Sequence, residues 1–315
     1  MQNLEYEQLF KEVKKAQDIL VVGHRKPDGD ALGSMCAVKI WLDKMGKKTD
    51  LGCVDKPTRK YSFLPHVEDV KKNIDPNNYD LVMLVDCGAH YMTDFHEKYP
   101  EILSFNNPNK KPFIVNIDHH ASNDMFGHLN IVETESASAT MIIFKIFSYI
   151  DTNITPDIAT CLLTGIYNDT GSFMHSNTSL EVYQVAAELL RRGAKVAPII
   201  KALFKTNTLS SLKLLGKAFS KAEITKDNFI CSVITEEEAK GDDGRVDQLS
   251  GAVDYLNMVP GVDFALLVQE DRKNVKGSFR TRKDNVDLSE IAKKYGGGGH
   301  PKAAGFTMDK ASFNL

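Results

Sequence analysis

The sequence predicts an α/β protein with a parallel-sheet domain at its N-terminal end, a helical linker, and a smaller α/β domain at its C-terminal end. Short apolar runs rich in Val and Ile, with helical patterns between them, predict the first domain. Strand-like segments that alternate with a helix after residue 226 predict the second. The 315 residues are enough for two domains of ordinary size.

Three apolar runs of the first domain end on a polar side chain. They are Leu20–His24 (LVVGH), Leu81–Asp86 (LVMLVD) and Phe113–Asp118 (FIVNID). Short continuous runs, separated by helical patterns such as Ala31–Met45, are typical of parallel strands that are buried on both faces. Ligands bind such sheets outside the carboxyl ends of the strands, so we expect the polar ends of the three runs to converge.

Helical patterns account for most of the remaining chain. The N-terminal residues form an amphipathic pattern without the apolar segment of a signal peptide. Apolar residues recur at helical spacing from Ala137 to Arg192, and residues 194–222 predict two further helices between the domains. The expected boundaries are 1–190 for the first domain, 191–225 for the linker and 226–315 for the second domain.

The second domain is predicted from three strand-like segments and one helix. The segments are NFICSVI, VDFALLVQE and NVKGSFR, and the helix is expected near Val246–Leu256. A glycine run, Gly296–Gly299, is the one unusual feature of its composition.

The composition narrows the class of protein. No apolar run approaches the roughly 18 residues that span a bilayer, so we expect a cytoplasmic protein without a membrane partner. The five cysteines are scattered and lack CxxC spacing, which argues against a disulfide framework and a zinc knot. With a net charge of −3, the chain offers no general positive surface to a long duplex, and an anionic substrate is expected to be small.

Four carboxylates would repel one another if they shared a cleft at the edge of the sheet. They are Asp28, Asp30, Asp86 and Asp169. Burying them unpaired would cost several kcal/mol each, whereas two divalent cations would balance their charge. His24 and His119 would complete ligand sets that suit manganese or magnesium better than structural zinc. Two such cations can activate a shared water for attack on phosphorus, which predicts hydrolysis of a phosphate ester.

Each of these motifs has a simpler interpretation when it is taken alone. The DGD segment at 28–30 follows a proline and is typical of a turn, and Asp86 could cap the next segment. The adjacent histidines at 119–120 could arise by chance. The combination, in which separate strands all end on metal-ligand side chains, favours a metal site. Gly29 is then expected to bend the backbone so that the two flanking acids face different ions.

Four motifs occur in the order HRKPDGD, LVDCG, IDHH and NDTGSF, and this order resembles the DHH phosphoesterase superfamily. The later segments GSFR and GGGGHPKAAGF resemble its DHH-associated domain. The resemblance covers about residues 18–307. Within the superfamily, the length and the two-domain plan are most similar to bacterial nanoRNases, which degrade very short RNA and remove the 3'-phosphate of adenosine 3',5'-bisphosphate (pAp).

The resemblance implies two metal sites and two helper residues. The implied ligand sets share Asp86 as a bridge: His24, Asp28 and Asp86 for one ion, and Asp30, Asp86, His119 and Asp169 for the other. His120 would contact the scissile phosphate or protonate the leaving oxygen. Asp118 would orient a neighbouring histidine without binding metal itself.

The glycine run of the second domain has two interpretations. A flexible linker is the simpler one, but too few residues follow Gly296–Gly299 to form another domain. We expect instead an anion-binding concavity, with a helix that starts at HPKAAG and holds a substrate phosphate in a cleft between the domains. Lys302 and Arg282 could add charge or could simply be solvated. The expected substrate-binding residues are Ser278, Arg280, Gly298, Gly299 and His300.

The predicted function is a metal-dependent hydrolase of phosphate esters, an exoribonuclease and bisphosphate nucleotidase. Its expected cofactor is Mn²⁺, with Mg²⁺ as the alternative. Its expected partners are short RNA oligonucleotides, pAp, and linear dinucleotides such as pApA derived from cyclic dinucleotides, and a homodimer is the expected assembly.

Two other functions remain open from the sequence. A pyrophosphatase or exopolyphosphatase of the DHH type would share the metal motifs, but the glycine and histidine motif near residue 300 favours a nucleotide substrate. A non-catalytic RNA-binding protein would not need converging carboxylates.

Overall fold

The computed structural model of the protein describes residues 2–100, 112–204, 208–240, 249 and 251–313. The chain divides into two compact units, Met1–Lys205 and Thr206–Leu315. Each unit contains a six-stranded sheet. Within the described ranges, no helix is both long enough and apolar enough to cross a membrane.

The sheet of the first unit is parallel throughout. Its strands are β1 (Asp18–Val22), β2 (Lys48–Gly52), β3 (Val70–Lys71), β4 (Leu81–Val85), β5 (Phe113–Asp118) and β6 (Leu129–Val132). They lie in the order β3-β2-β1-β4-β5-β6. The three predicted strands are confirmed as β1, β4 and β5, which are neighbours, so their carboxyl ends meet where the strand order reverses direction.

The helices of the first unit agree with the predicted periodicity. They are α1 (Gln2–Lys15), α2 (Gly29–Lys44), α3 (Phe95–Lys98), α4 (Ala139–Tyr149), α5 (Pro156–Asp169), α6 (Leu180–Arg191) and α7 (Val196–Phe204). Strands β1 and β4 are buried almost completely, because helices or loops cover both faces of the sheet.

Helices α2 and α5 pack with their backbones unusually close together. A Cβ atom on Gly33 of α2 would lie 2.4 Å from the carbonyl oxygen of Cys161 on α5. A Cβ atom on Gly165 of α5 would lie 2.2 Å from Oδ1 of Asp30. The two glycines therefore permit a helix contact that brings the start of α2 and the end of α5 to the same edge of the sheet.

The second unit has a mixed sheet. Its elements are α8 (Leu209–Ser220), β7 (Glu223–Ile224), β8 (Ile230–Ile234), α9 (Glu236–Lys240), α10 (Ala252–Leu256), β9 (Ala265–Asp271), β10 (Asn274–Arg280), α11 (Leu288–Lys293), β11 (Gly298–His300) and β12 (Ala303–Asp309). The strand order is β11-β12-β10-β9-β8-β7, and only the β8–β9 pair among these strands is parallel.

Two predicted helical regions appear in the described residues. The two helices expected in the linker are α7 and α8, which fall in different units. The helix expected near Val246–Leu256 is present as α10, while residues 246–248 and 250 lie outside the described residues.

The prediction of a helix at HPKAAG is wrong, because this segment forms a β-hairpin. Strands β11 and β12 pair antiparallel through a turn at Pro301 and Lys302, with His300 opposite Ala303. Burial alternates along β12, where Ala304 and Phe306 face the core. The AAGF segment thus follows the period of a strand, and its pairing with β10 fixes it in the sheet.

We expect Gly33→Ala to lower the free energy of unfolding by about 1–3 kcal/mol, because the added methyl group overlaps a backbone carbonyl that cannot rotate away. Urea unfolding followed by circular dichroism measures the change. Gly216→Ala in α8 is the matched control: nothing lies within 4 Å of its added Cβ, so it should be neutral or stabilising. Equal stability of the Gly33→Ala protein and the wild type would contradict the close helix contact.

Candidate metal centre

The predicted metal ligands meet at the carboxyl edge of the first sheet. Each element places its ligand by ending or beginning there: β1, β4 and β5 end next to their ligands, α2 begins there and α5 ends there. The ligands that follow strands are His24, Asp86 and His119, and those at helix ends are Asp28, Asp30 and Asp169.

Three groups of side chains could each hold a cation, since one ligand atom of each residue lies within 4.8 Å of those of the others. The groups are His24, Asp28 and Asp86; Asp30, His119 and Asp169; and Asp86, His119 and His120. Asp86 is a member of the first group and also lies close to His119 of the second group. Its Oδ2 is 3.4 Å from Nε2 of His24, and its Oδ1 is 3.6 Å from Nε2 of His119.

Asp86 is held in a conformation that costs free energy. Its φ angle of 56° is in the left-handed region, which few residues other than glycine adopt. The residue is only 3% exposed, and its Oδ1 accepts no hydrogen bond from the described residues. A buried carboxylate oxygen in this state requires compensation, and a divalent cation supplies it. The donor set and this oxygen therefore fit a metal centre.

Asp30 is bound by the N-terminus of α4. The backbone N–H of Ala139 donates to its Oδ2 at 2.6 Å, and the Thr140 N–H and hydroxyl donate to its Oδ1 at 3.0 and 2.6 Å. The positive end of the helix dipole favours the same carboxylate. Ser138 caps this helix by accepting from the N–H of Met141. The sequence-based prediction did not include these residues, although SASAT before an apolar helix is an N-cap pattern.

Both metal-facing histidines are oriented by backbone carbonyls. Nδ1 of His119 lies 3.3 Å from the carbonyl oxygen of Ser136, and Nδ1 of His24 lies 2.7 Å from that of Arg25. In each ring Nε2 is then directed at the carboxylates, with His119 Nε2 3.2 Å from Oδ2 of Asp169. A carbonyl on one ring nitrogen is the usual support for a histidine that binds metal through the other.

His120 is supported by Asp118, as expected of a residue that orients a neighbouring histidine. Its Nδ1 lies 2.7 Å from Oδ1 of Asp118, which is fully buried at the end of β5. Asn123 donates to the other oxygen of Asp118 and to Asn116, so the loop after the two histidines folds back against the strand. His120 keeps a part-exposed ring beside the metal groups.

The protonation of the cluster shows how its charges are balanced. Burial raises the pKa of Asp30 well above its usual value, and the neighbouring carboxylates raise it further. Burial alone would lower the pKa of His24, but its carboxylate partners outweigh burial and raise it to about 12. The pKa of His119 is raised well above its usual value by the same balance. Protonated imidazoles therefore provide the positive charge that a cation would otherwise provide.

Four of the five expected substrate-binding residues, Ser278, Arg280, Gly298 and His300, lie on one face of the sheet of the second unit, whereas Gly299 lies on the other face with Ala304. Arg280 on β10 is opposite Ala303 on β12, which is opposite His300 on β11, so the three side chains share a face. Only the methyl group of Ala303 lies between the arginine and the histidine. In the adjacent row, β10, β12 and β11 contribute Ser278, Gly305 and Gly298, and β9 contributes Leu267 opposite Ser278. Gly299, between Gly298 and His300 on β11, is opposite Ala304.

The cations around this face already have protein partners. Nε of Arg280 donates to Oδ1 of Asp254 at 2.8 Å, which orients the guanidinium group. Lys302 pairs with Asp284 at 2.8 Å, and Arg282 donates to the carbonyl oxygen of Met258 at 3.3 Å.

Known families match both units of the chain. The profile of the DHH family N-terminal domain matches residues 18–166, and the profile of the DHHA1 domain matches residues 226–314. A Thermus thermophilus protein named bifunctional oligoribonuclease and PAP phosphatase NrnA is 32% identical over 304 residues, which are 95% of this chain and 87% of that protein. A Bacillus subtilis protein of the same name is 24% identical and covers 96% of this chain.

Solved structures share the fold. An exopolyphosphatase-related protein from Bacteroides fragilis matches with a TM-score of 0.88 at 24% identity and covers 99% of this chain and 92% of its own. A structure of the exonuclease RecJ bound to manganese matches with a TM-score of 0.54 at 14% identity and covers 98% of this chain and 90% of its own. At these identities the likeness concerns the fold alone.

We expect Mn²⁺ to raise the melting temperature of the protein, because it binds only the folded cluster. A hundredfold excess over the dissociation constant corresponds to about 2.7 kcal/mol. Asp86→Asn should lose most of this increase, since Asp86 contributes to two of the three groups. Asp43→Asn is the control, because Asp43 lies at the other end of α2 and pairs with Lys39. Equal increases for the Asp86→Asn and control proteins would exclude this centre.

Metal binding should also release protons. The raised pKa values keep His24 and His119 protonated at neutral pH without metal, whereas a metal ligand must be a neutral imidazole. Affinity for Mn²⁺ should therefore rise with pH. Calorimetric titrations at pH 7 in two buffers of different ionisation enthalpy count the protons, and identical apparent enthalpies in both buffers would show that none is released.

Proposed function

The chain belongs to the DHH family, and from this premise we propose that it is a metal-dependent phosphoesterase that hydrolyses short oligoribonucleotides to mononucleotides. We propose removal of the 3'-phosphate of pAp as its second reaction. The observation that carries the proposal is that Asp86 belongs to the group of His24 and also lies beside His119 of the other group, with a buried oxygen that accepts no hydrogen bond from the described residues. The names of the Thermus and Bacillus relatives support both reactions.

The proposed division of roles follows the contacts at the sheet edge. His24, Asp28 and Asp86 hold one cation, while Asp30, His119 and Asp169 hold the other together with Asp86. Bound cations of this kind lower the pKa of a shared water and neutralise charge on the phosphoryl oxygens. The protein contributes ligands whose orientation is already fixed by backbone groups, so little reorganisation is needed when the substrate binds.

His120 is proposed as the residue that contacts the scissile phosphate or protonates the leaving oxygen. Its hydrogen bond to Asp118 and the carboxylate charge beside it raise the pKa of the imidazole, although burial opposes this. The raised pKa favours the protonated ring, which can donate a proton, and Asp118 prevents the ring from rotating away from the cluster.

Binding of a substrate phosphate is proposed for the face of the second unit that carries Arg280 and His300. Ala303 lies between them on β12, and its small side chain leaves room for an anion to contact both groups. Asp254 holds the guanidinium group so that it can present its remaining N–H donors to an anion.

Further assignments belong with this proposal. We propose Mn²⁺ as the physiological ion, since carboxylate and imidazole ligands suit it. The linear dinucleotide pApA is proposed as an additional substrate, because it offers a terminal phosphate and one phosphodiester bond. A cytoplasmic location agrees with the five cysteines, all of which are buried free thiols. The homodimer stays a prediction.

The activity is tested by offering the purified protein with Mn²⁺ a 5'-labelled RNA dinucleotide, a long RNA, pAp and pyrophosphate. We expect the dinucleotide and pAp to be hydrolysed and the long RNA to react much more slowly. Asp86→Asn should reduce both activities about a hundredfold or more, because it removes the ligand between the two groups. The Asp43→Asn protein should retain them. Rapid cleavage of pyrophosphate with none of the dinucleotide would instead indicate a pyrophosphatase.

A further inference from the structure

The side chain of Asn168 connects the two groups of metal ligands. It precedes Asp169 at the end of α5, and its Nδ2 donates to Oδ1 of Asp169 and to Oδ2 of Asp28, both at 3.0 Å. Asp28 belongs to the group with His24, and Asp169 belongs to the group with His119. Because ionised carboxylates can only accept, the amide nitrogen must face both of them. One neutral group therefore contacts a ligand of each group.

Asn168 uses the oxygen of each carboxylate that is turned away from the histidines. The other oxygen of Asp28, Oδ1, lies 3.9 Å from Nε2 of His24. The other oxygen of Asp169, Oδ2, lies 3.2 Å from Nε2 of His119. The two hydrogen bonds from Asn168 help to fix the rotation of both carboxylates. Oδ1 of Asp28 is held as well, because it accepts from the backbone N–H groups of Asp30 and Ala31 at the start of α2.

Tyr61 fixes the amide group of Asn168 through a hydrogen bond. Its hydroxyl donates to Oδ1 of Asn168 at 3.1 Å, and the tyrosine is completely buried. The amide oxygen and nitrogen of Asn168 therefore both have partners, and a rotation of the amide by half a turn would break all three hydrogen bonds. The hydroxyl of Tyr61 therefore helps to determine the orientation of the Asn168 amide.

Gly29 makes room for this asparagine at the start of α2. A Cβ atom on Gly29 would lie 2.8 Å from Cβ of Asn168 and 3.0 Å from its Oδ1. The backbone of Gly29 is not left-handed, and the position requires the absence of a side chain. The flanking acids Asp28 and Asp30 belong to different groups of ligands. The first turn of α2 and the last turn of α5 can therefore approach each other across the amide.

From these contacts we infer that Asn168 is a positioning residue that sets the separation of the two bound cations. The inference rests on the two-cation site of the proposed function. The amide is suited to this task because it donates to two carboxylates without adding a charge that would compete with the cations. Leucine at this position would keep the approximate volume and remove all three hydrogen bonds.

The test is a titration of Mn²⁺ into the wild-type and Asn168→Leu proteins, followed by electron paramagnetic resonance at low temperature. Two cations that share a ligand are exchange-coupled and show half the hyperfine spacing of an isolated ion. We expect the wild type to bind two ions and give the coupled signal. In Asn168→Leu the first ion should bind as in the wild type, while the second should bind about tenfold more weakly and the coupled signal should be lost.

Two further variants and a control make the result specific. Tyr61→Phe removes only the hydroxyl and should weaken the second ion to a smaller extent. Gly29→Ala places a methyl group too close to Cβ of Asn168, which should displace the asparagine and also reduce the coupled signal. Asn153→Leu, at an exposed position before α5, should behave as the wild type. A general loss of stability would lower the affinity for both ions together, whereas a positioning role changes the second ion alone.

The outcomes separate this inference from the proposed function. If the wild type binds two coupled ions and cleaves the RNA dinucleotide, but Asn168→Leu retains the coupled signal and both affinities, the inference is overturned and the function stands. If the wild type does not bind two ions, both are overturned. Should Asn168→Leu fail to fold without metal, unchanged binding of the second ion by Tyr61→Phe overturns the inference.

Discussion

The first unit depends on the compensation of four carboxylates that a parallel sheet and two helix ends bring together. Asp30 and Asp86 are almost completely buried, and Asp28 and Asp169 lie beside them. Burying these charges unpaired would cost several kcal/mol for each ion. Protonated histidines, a protonated carboxyl group such as that of Asp30, or bound cations can each supply this compensation. Metal binding is therefore linked to the stability of this edge of the sheet.

Neutral donors hold the carboxylates while leaving the positive charge to the cations. The N-terminus of α4 binds Asp30, and Asn168 binds Asp28 and Asp169. A lysine or arginine in either place would neutralise the cluster permanently and reduce its affinity for metal. Backbone amides, a threonine hydroxyl and a side-chain amide fix the geometry without that competition, which is the arrangement expected of a preorganised metal site.

The parts of the protein that the sequence predicted are those in which a local pattern carries the information. The runs LVVGH, LVMLVD and FIVNID show both a buried strand and the polar side chain at its end, so β1, β4 and β5 and the meeting of their ends could be anticipated. The contacts of Asn168 and Thr140 could not, because they join residues 140 and 110 positions apart. At HPKAAG, pairing with β10 overrides the expected helix.

The loop before α4, together with the first two residues of that helix, connects the metal centre to α1. Residues 133–140 supply the carbonyl that orients His119 and the donors that bind Asp30. At the start of this loop, the buried carboxylate of Glu133 accepts from the hydroxyl of Tyr6 on α1 and from Lys145 on α4. Movement of α1 or α4 would therefore shift ligands of the second group, and cations bound there stabilise the packing of both helices in return.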